Sequence, residues 1–184
     1  MRSIFKFISI FLFLLSSLSI FAQEQDSTSV DSLKWQPKGS IFFGTGFPQF
    51  INTGLRLQYN DKSQIGFLVS HHRENNAEDK VTTIALEHFS YFGKQRDTLS
   101  RPEWYFRANF TYLSINLKEF SSNSNFLGLE FALGKDLLIK NIGGLGIDLG
   151  FLSIIYYIEA DIDPLLPVYP TVKFQFFLNA LNPD

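Results

Sequence analysis

From Gly39 onward, apolar and polar residues alternate with a period of two along most of the chain. In WYFRANFTYL, residues 104–113, one parity holds Trp104, Phe106, Ala108, Phe110 and Tyr112. The other holds Tyr105, Arg107, Asn109, Thr111 and Leu113. Successive side chains of a strand point to opposite faces, so such a segment predicts a strand between two unlike media.

Eight segments of this kind follow one another: GSIFFGTG, TGLRLQY, QIGFLVSHH, VTTIALEHFSYF, WYFRANFTYLSINL, FLGLEFALGK, LGIDLGFLSIIYYI and TVKFQFFLNAL. Their typical length, about ten residues, suits a tilted membrane strand and exceeds the five or six usual in soluble proteins. The connectors FPQFIN, NDKS, RENNAEDK, GKQRDTLSRPE, KEFSSNSN, DLLIKNIGG and EADIDPLLPVYP are mostly too short for parallel crossovers. Neighbouring strands are therefore expected to be antiparallel.

The two faces differ in kind. One collects Ile41, Phe43, Leu55, Leu57, Ile65, Phe67, Phe106, Leu129, Leu149, Phe174 and Phe176. On either parity, Tyr59, Trp104, Tyr105, Tyr156 and Tyr157 fall near segment ends, as the interfacial aromatics of a membrane barrel do. The opposite face is rich in glycine and sparsely charged. It carries Arg56, Glu87, Arg107, Glu130, Asp148 and Lys173, one each on the second and on the fourth to eighth segments. A solvated outer surface would carry many long charged residues, whereas a narrow lumen wants small residues among a few large polar ones. Buried charges persist when paired, so these six predict a charge network across a lumen.

The first 22 residues stand apart. Arg2 and Lys6 precede the apolar run FISIFLFLLSSLSIF, and Ala22 precedes Gln23. That order is the signature of a cleaved secretory signal peptide, the apolar run being short for the roughly 20 residues of a spanning helix. The alternative reading is an uncleaved anchor. Residues 23–38 are polar and aperiodic and are expected to form a flexible periplasmic leader, leaving 39–184 as the barrel domain. Without the signal, 14 Lys and Arg stand against 18 Asp and Glu. No basic footprint for nucleic acid is present. The chain has no cysteine, which excludes disulfides and thiolate metal sites.

With these features the chain resembles, over roughly residues 39–181, the small eight-stranded bacterial outer-membrane barrels of the OmpA-membrane-domain and OmpX type. The resemblance implies an all-β, up-and-down transmembrane barrel in the bacterial outer membrane. It implies outer-membrane lipid and the barrel-assembly machinery as partners, and a structural, adhesive or envelope-modulating role through the loops, with no cofactor. Such barrels usually end on an aromatic residue that the assembly machinery reads. Here Phe177 stands seven residues before the end, followed by LNALNPD.

Three constellations point to chemistry. His88 and Ser90 share one face of EHFSYF, with Glu103 after the next connector. A serine, a base and an orienting carboxylate form a hydrolase arrangement, and the order resembles that of outer-membrane lipid A deacylases. That is one alternative function. HHRENNAEDK gathers His71, His72, Glu74, Glu78 and Asp79, but adjacent strand histidines point apart, which is poor metal geometry. GTG and GGLGIDLG lack the spacing of a nucleotide-binding loop. A second alternative is a secreted, soluble, lipocalin-like barrel holding a small apolar ligand, which requires the apolar face to point inward.

Overall fold

The computed structural model describes residues 38–73, 80–94, 101–117, 122–139, 142–159 and 168–179. The expected signal peptide and nearly all of the leader lie outside the described residues, as do Glu74, Glu78 and Asp79. The described residues form eight strands and no helix: β1 (Lys38–Phe47), β2 (Phe50–Asn60), β3 (Ser63–Arg73), β4 (Lys80–Phe92), β5 (Trp104–Leu117), β6 (Ser122–Ile139), β7 (Gly143–Glu159) and β8 (Val168–Asn179). Each pairs antiparallel with its sequence neighbour, and β1 pairs with β8, closing an up-and-down barrel. Closure matters because it leaves no unpaired strand edge.

Both ends of the described barrel lie together, where Ser40 pairs with Asn179. We call this the terminal end. It also carries the turn at Asp61 and Lys62, the 93–103 connector and the turn before Gly143. The other end carries the Pro48–Gln49 turn and the last residues of β3, β5 and β7.

Several boundaries differ from the alternation pattern, most of all those of β6. The strand expected to start at Phe126 begins at Ser122, and it runs past Lys135 to Ile139. Its inward parity simply continues, Glu130, Ala132, Gly134 and Asp136 all being buried. The adjacent leucines of DLLIK obscured this, because Leu137 is exposed while Leu138 packs against the Phe42, Leu68, Ala85 and Phe177 cluster.

The parity decides what faces where. Exposed apolar side chains occur on every strand, among them Phe43, Leu55, Phe67, Leu86, Trp104, Leu133, Leu149 and Phe174. The interior parity holds Arg56, Glu87, Arg107, Glu130, Asp148 and Lys173, each no more than 3% exposed. Tyr105, expected among the interfacial aromatics, instead points inward and is fully buried. Its ring occupies space that a side chain at Gly134 would take, since a Cβ there would lie 2.4 Å from Tyr105 Cζ. Gly54 makes the same allowance for the Phe42 ring, 2.5 Å from where its Cβ would stand.

Candidate functional site: the charged interior and the His88 cluster

Alternation places one long charged side chain inside the barrel on β2 and on each of β4 to β8, and the pairing register brings five of them together. Arg107 is the hub. Its Nε and Nη2 donate to the two oxygens of Asp148, at 3.1 and 2.9 Å. Its Nη1 donates to Glu87 Oε1 at 3.1 Å, and Nη2 also reaches Glu130 Oε1 at 2.6 Å. Lys173 adds a second cation, 3.3 Å from Glu87 Oε1 and 3.4 Å from Glu130 Oε2. The fork of a guanidinium suits this role, because it can hold a carboxylate with two parallel bonds while still donating elsewhere.

Neutral groups complete the shell. Gln49 Nε2 and Asn109 Nδ2 each donate to Glu130 Oε2 at 2.9 Å, and Thr111 Oγ1 donates to Asn109 Oδ1 at 2.7 Å. Tyr105 donates its hydroxyl proton to Asp148 Oδ2 at 3.1 Å. Gln49 comes from the β1–β2 turn and is fully buried, so this turn folds inward over the hub. Its backbone carbonyl accepts a hydrogen bond from Ser70 Oγ.

Arg56, the sixth of the expected network residues, makes no ion pair among the described residues. Its Nη2 donates to Gln175 Oε1, and its guanidinium carbon lies 4.2 Å from the Phe89 ring centre and 4.8 Å from that of Phe42. Gly66, its register partner, separates it from Glu87 on the next strand. The cation is thus held by ring faces, an attraction that grows with desolvation.

A second ion pair closes the terminal end, and the alternation pattern missed it. Arg101 in the 93–103 connector is buried, and its Nη2 lies 2.6 Å from Asp136 Oδ2. Its guanidinium carbon stands 4.7 Å from the ring centre of Tyr91, whose hydroxyl is 3.0 Å from both Asp136 Oδ2 and Gln64 Oε1. A connector has no parity to read, so nothing in the sequence marked Arg101 as inward. Asp136 could have been found by extending the parity of Glu130 and Gly134. With this pair, the described interior holds four buried cations and four buried carboxylates. The opposite end is filled by an apolar cluster of Leu113, Phe126, Leu152 and Ile154.

On the outer wall, His88 and Ser90 do share a face, with Ser90 Oγ 3.5 Å from His88 Nδ1. The other ring nitrogen, Nε2, meets Tyr59 Oη at 2.8 Å. Glu103 is not the orienting group. His88 pairs with Ala108, five residues from Glu103 along β5 and hence roughly 16 Å at about 3.3 Å per residue. The carboxylate instead meets Lys135 at 3.6 Å. The described geometry does not assemble the serine, histidine and carboxylate of a hydrolase. At the far rim His71 meets Thr82 Oγ1 at 3.0 Å while His72 stacks on Phe50, ring centres 4.2 Å apart, so the two histidines diverge.

No protein-family model matches the chain, and no curated protein matches its sequence. Among solved structures it is similar to one described as the crystal structure of Neisserial surface protein A, at 11% identity and a TM-score of 0.46. That match covers 78% of this chain and 94% of the other.

Proposed function

We propose that this chain is a small outer-membrane barrel of a bacterial envelope, its lumen closed to solutes by its own side chains. It carries out no reaction of its own and serves a structural, adhesive or envelope-modulating role through the connectors at the end away from the termini. One observation carries this reading: the barrel is inverted, with charge inside and apolar side chains on all eight outer strand faces. Soluble monomers rarely expose a contiguous apolar patch beyond a few hundred Å². A belt that encircles the barrel has its natural solvent in hydrocarbon, which a closed barrel can enter because its backbone groups are already paired. The rival soluble, ligand-holding barrel needs the reverse, an apolar interior, and the interior here is held by ion pairs.

The closed lumen rests on the packing of three layers: Arg101 with Asp136 and Tyr91, the Arg107 hub under Gln49, and the apolar cluster around Leu152. In fractionated cells the protein should sediment with outer membranes and require detergent for extraction. On unboiled gels it should migrate as a compact species that shifts on heating. Recovery in the aqueous fraction without detergent would refute the reading.

A further inference from the structure

The outer wall is not evenly filled. Over β1–β4 it holds an open groove of about 620 Å³, lined mainly by Leu55, Leu57, Ile65, Phe67 and Leu86 and reaching the inward-parity Arg56 and Glu87. Its opening follows from Gly39, which also lines it and lies on the outward parity of β1 without a side chain to fill the wall. The volume falls within the roughly 300–1,000 Å³ of small-molecule sites, and such sites are apolar with a few placed polar groups.

Those polar groups stand at one end of it. Tyr59 follows Leu57 by two residues on the same face, and Ile65 pairs directly with His88. His88 follows Leu86 by two residues and precedes Ser90 by two. The groove therefore leads along β3 and β4 toward the Tyr59–His88–Ser90 cluster near the terminal end, where the β2–β3 pairing is irregular between Gln58 and Asn60. Ser90 lies four positions beyond Leu86, roughly 13 Å along the strand. The cluster has two hydroxyls and an imidazole, with no formal anion or lysine among its described contacts. It suits an uncharged hydrogen-bond acceptor attached to a long apolar chain.

We propose that this groove is a binding site for one glycerophospholipid, with an acyl chain along Leu57, Ile65 and Leu86 and its ester carbonyl against Ser90 and Tyr59. The proposal rests on the membrane reading above. That reading puts hydrocarbon along the groove and the ester level of the bilayer near the strand ends, where the cluster lies. A neutral His88 accepts a proton from one hydroxyl and donates to the other, which leaves one hydroxyl proton for the ligand; an ether lipid uses it less well, because its oxygen is a weaker acceptor than a carbonyl.

The test is native mass spectrometry of the mature protein in mild detergent, with added dipalmitoyl phosphatidylcholine or its dihexadecyl ether analogue. One diester lipid should be retained per barrel, in preference to the diether by about fivefold, the size a single hydrogen bond supplies. Ser90→Ala should erase that preference. Leu57→Trp, placing an indole over Gly39, should abolish retention, whereas Leu149→Trp on β7, distant in the sheet, should leave it unchanged. Equal retention of both lipids by the unmodified protein, or full retention by Leu57→Trp, would overturn the site. The unboiled gel shift, run on every variant, separates the two readings. A detergent-dependent, heat-shifting barrel that retains no lipid refutes only the groove site, whereas a detergent-free soluble protein refutes both.

Discussion

Arg107→Met is expected to cost about 3–5 kcal/mol of barrel stability, the toll of removing one partner from a buried ion pair. The substitution keeps most of the side-chain length, so the loss comes from charge rather than from an empty space. Three carboxylates now converge on the Arg107 guanidinium, all with fully or almost fully buried side chains. Without it, Lys173 still reaches Glu87 and Glu130, but Asp148 retains only the Tyr105 hydroxyl among its described side-chain partners. Urea unfolding of the protein refolded in detergent micelles, followed by loss of the compact gel species, measures the change. Adding Glu130→Gln to Arg107→Met should recover part of the loss, because the excess negative charge falls by one. Groups in one network couple in this non-additive way. Arg56→Met is the control: its guanidinium holds ring faces, worth about 0.5–2 kcal/mol, so its effect should be much the smaller. Equal losses for Arg56→Met and Arg107→Met would show that ion pairing is not what holds the interior.

How much of this was legible in the sequence depends on whether a residue sits on a strand. The eight strands and the inward parity of Glu87, Arg107, Glu130, Asp148 and Lys173 follow from period-two alternation alone, because in a barrel parity is a statement about inside and outside. The convergence of these five did not follow from parity. It required the register of each pair, such as Asn109 opposite Glu130 and Asp148 opposite Lys173. Arg56 shows the limit: its parity is right, yet Gly66 leaves a gap on one side and Phe42 and Phe89 supply a competing surface. Tyr105 was misplaced for a related reason. A tyrosine near a strand end fits an interfacial aromatic, but its parity matches Arg107, and Gly134 opposite leaves room for its ring. Gln49 and Arg101 come from a turn and a connector, where no periodicity exists, so their burial is visible only in three dimensions. Glu103 failed as a partner of His88 by simple distance along β5, a constraint that needs the pairing of His88 with Ala108.

The outer face carries the second large effect, and it should vary with depth along a single strand. Leu149 and Ile158 both lie on β7 and are both exposed, at 61% and 48%. In water, an arginine at either exposed site would change stability by little, since surface substitutions are usually within about 0.5 kcal/mol. In a bilayer the two positions differ. Leu149 lies within the apolar belt, paired with Leu133, which is itself 51% exposed. Leu149→Arg then places a guanidinium in hydrocarbon, at about 2–4 kcal/mol near the midplane. Ile158 stands at the rim beside Tyr156 and Tyr157, where the same substitution costs about 0–1 kcal/mol and the side chain can reach headgroup water. Refolding each variant into lipid vesicles and titrating with urea compares them directly. A cost at Leu149 exceeding that at Ile158 by about 2 kcal/mol or more is the expected result, and it should shrink when the vesicles are replaced by short-chain micelles that admit water to the wall. Equal tolerance at both positions in vesicles would mean that the apolar belt does not face lipid, and the inverted barrel would need another partner to cover it.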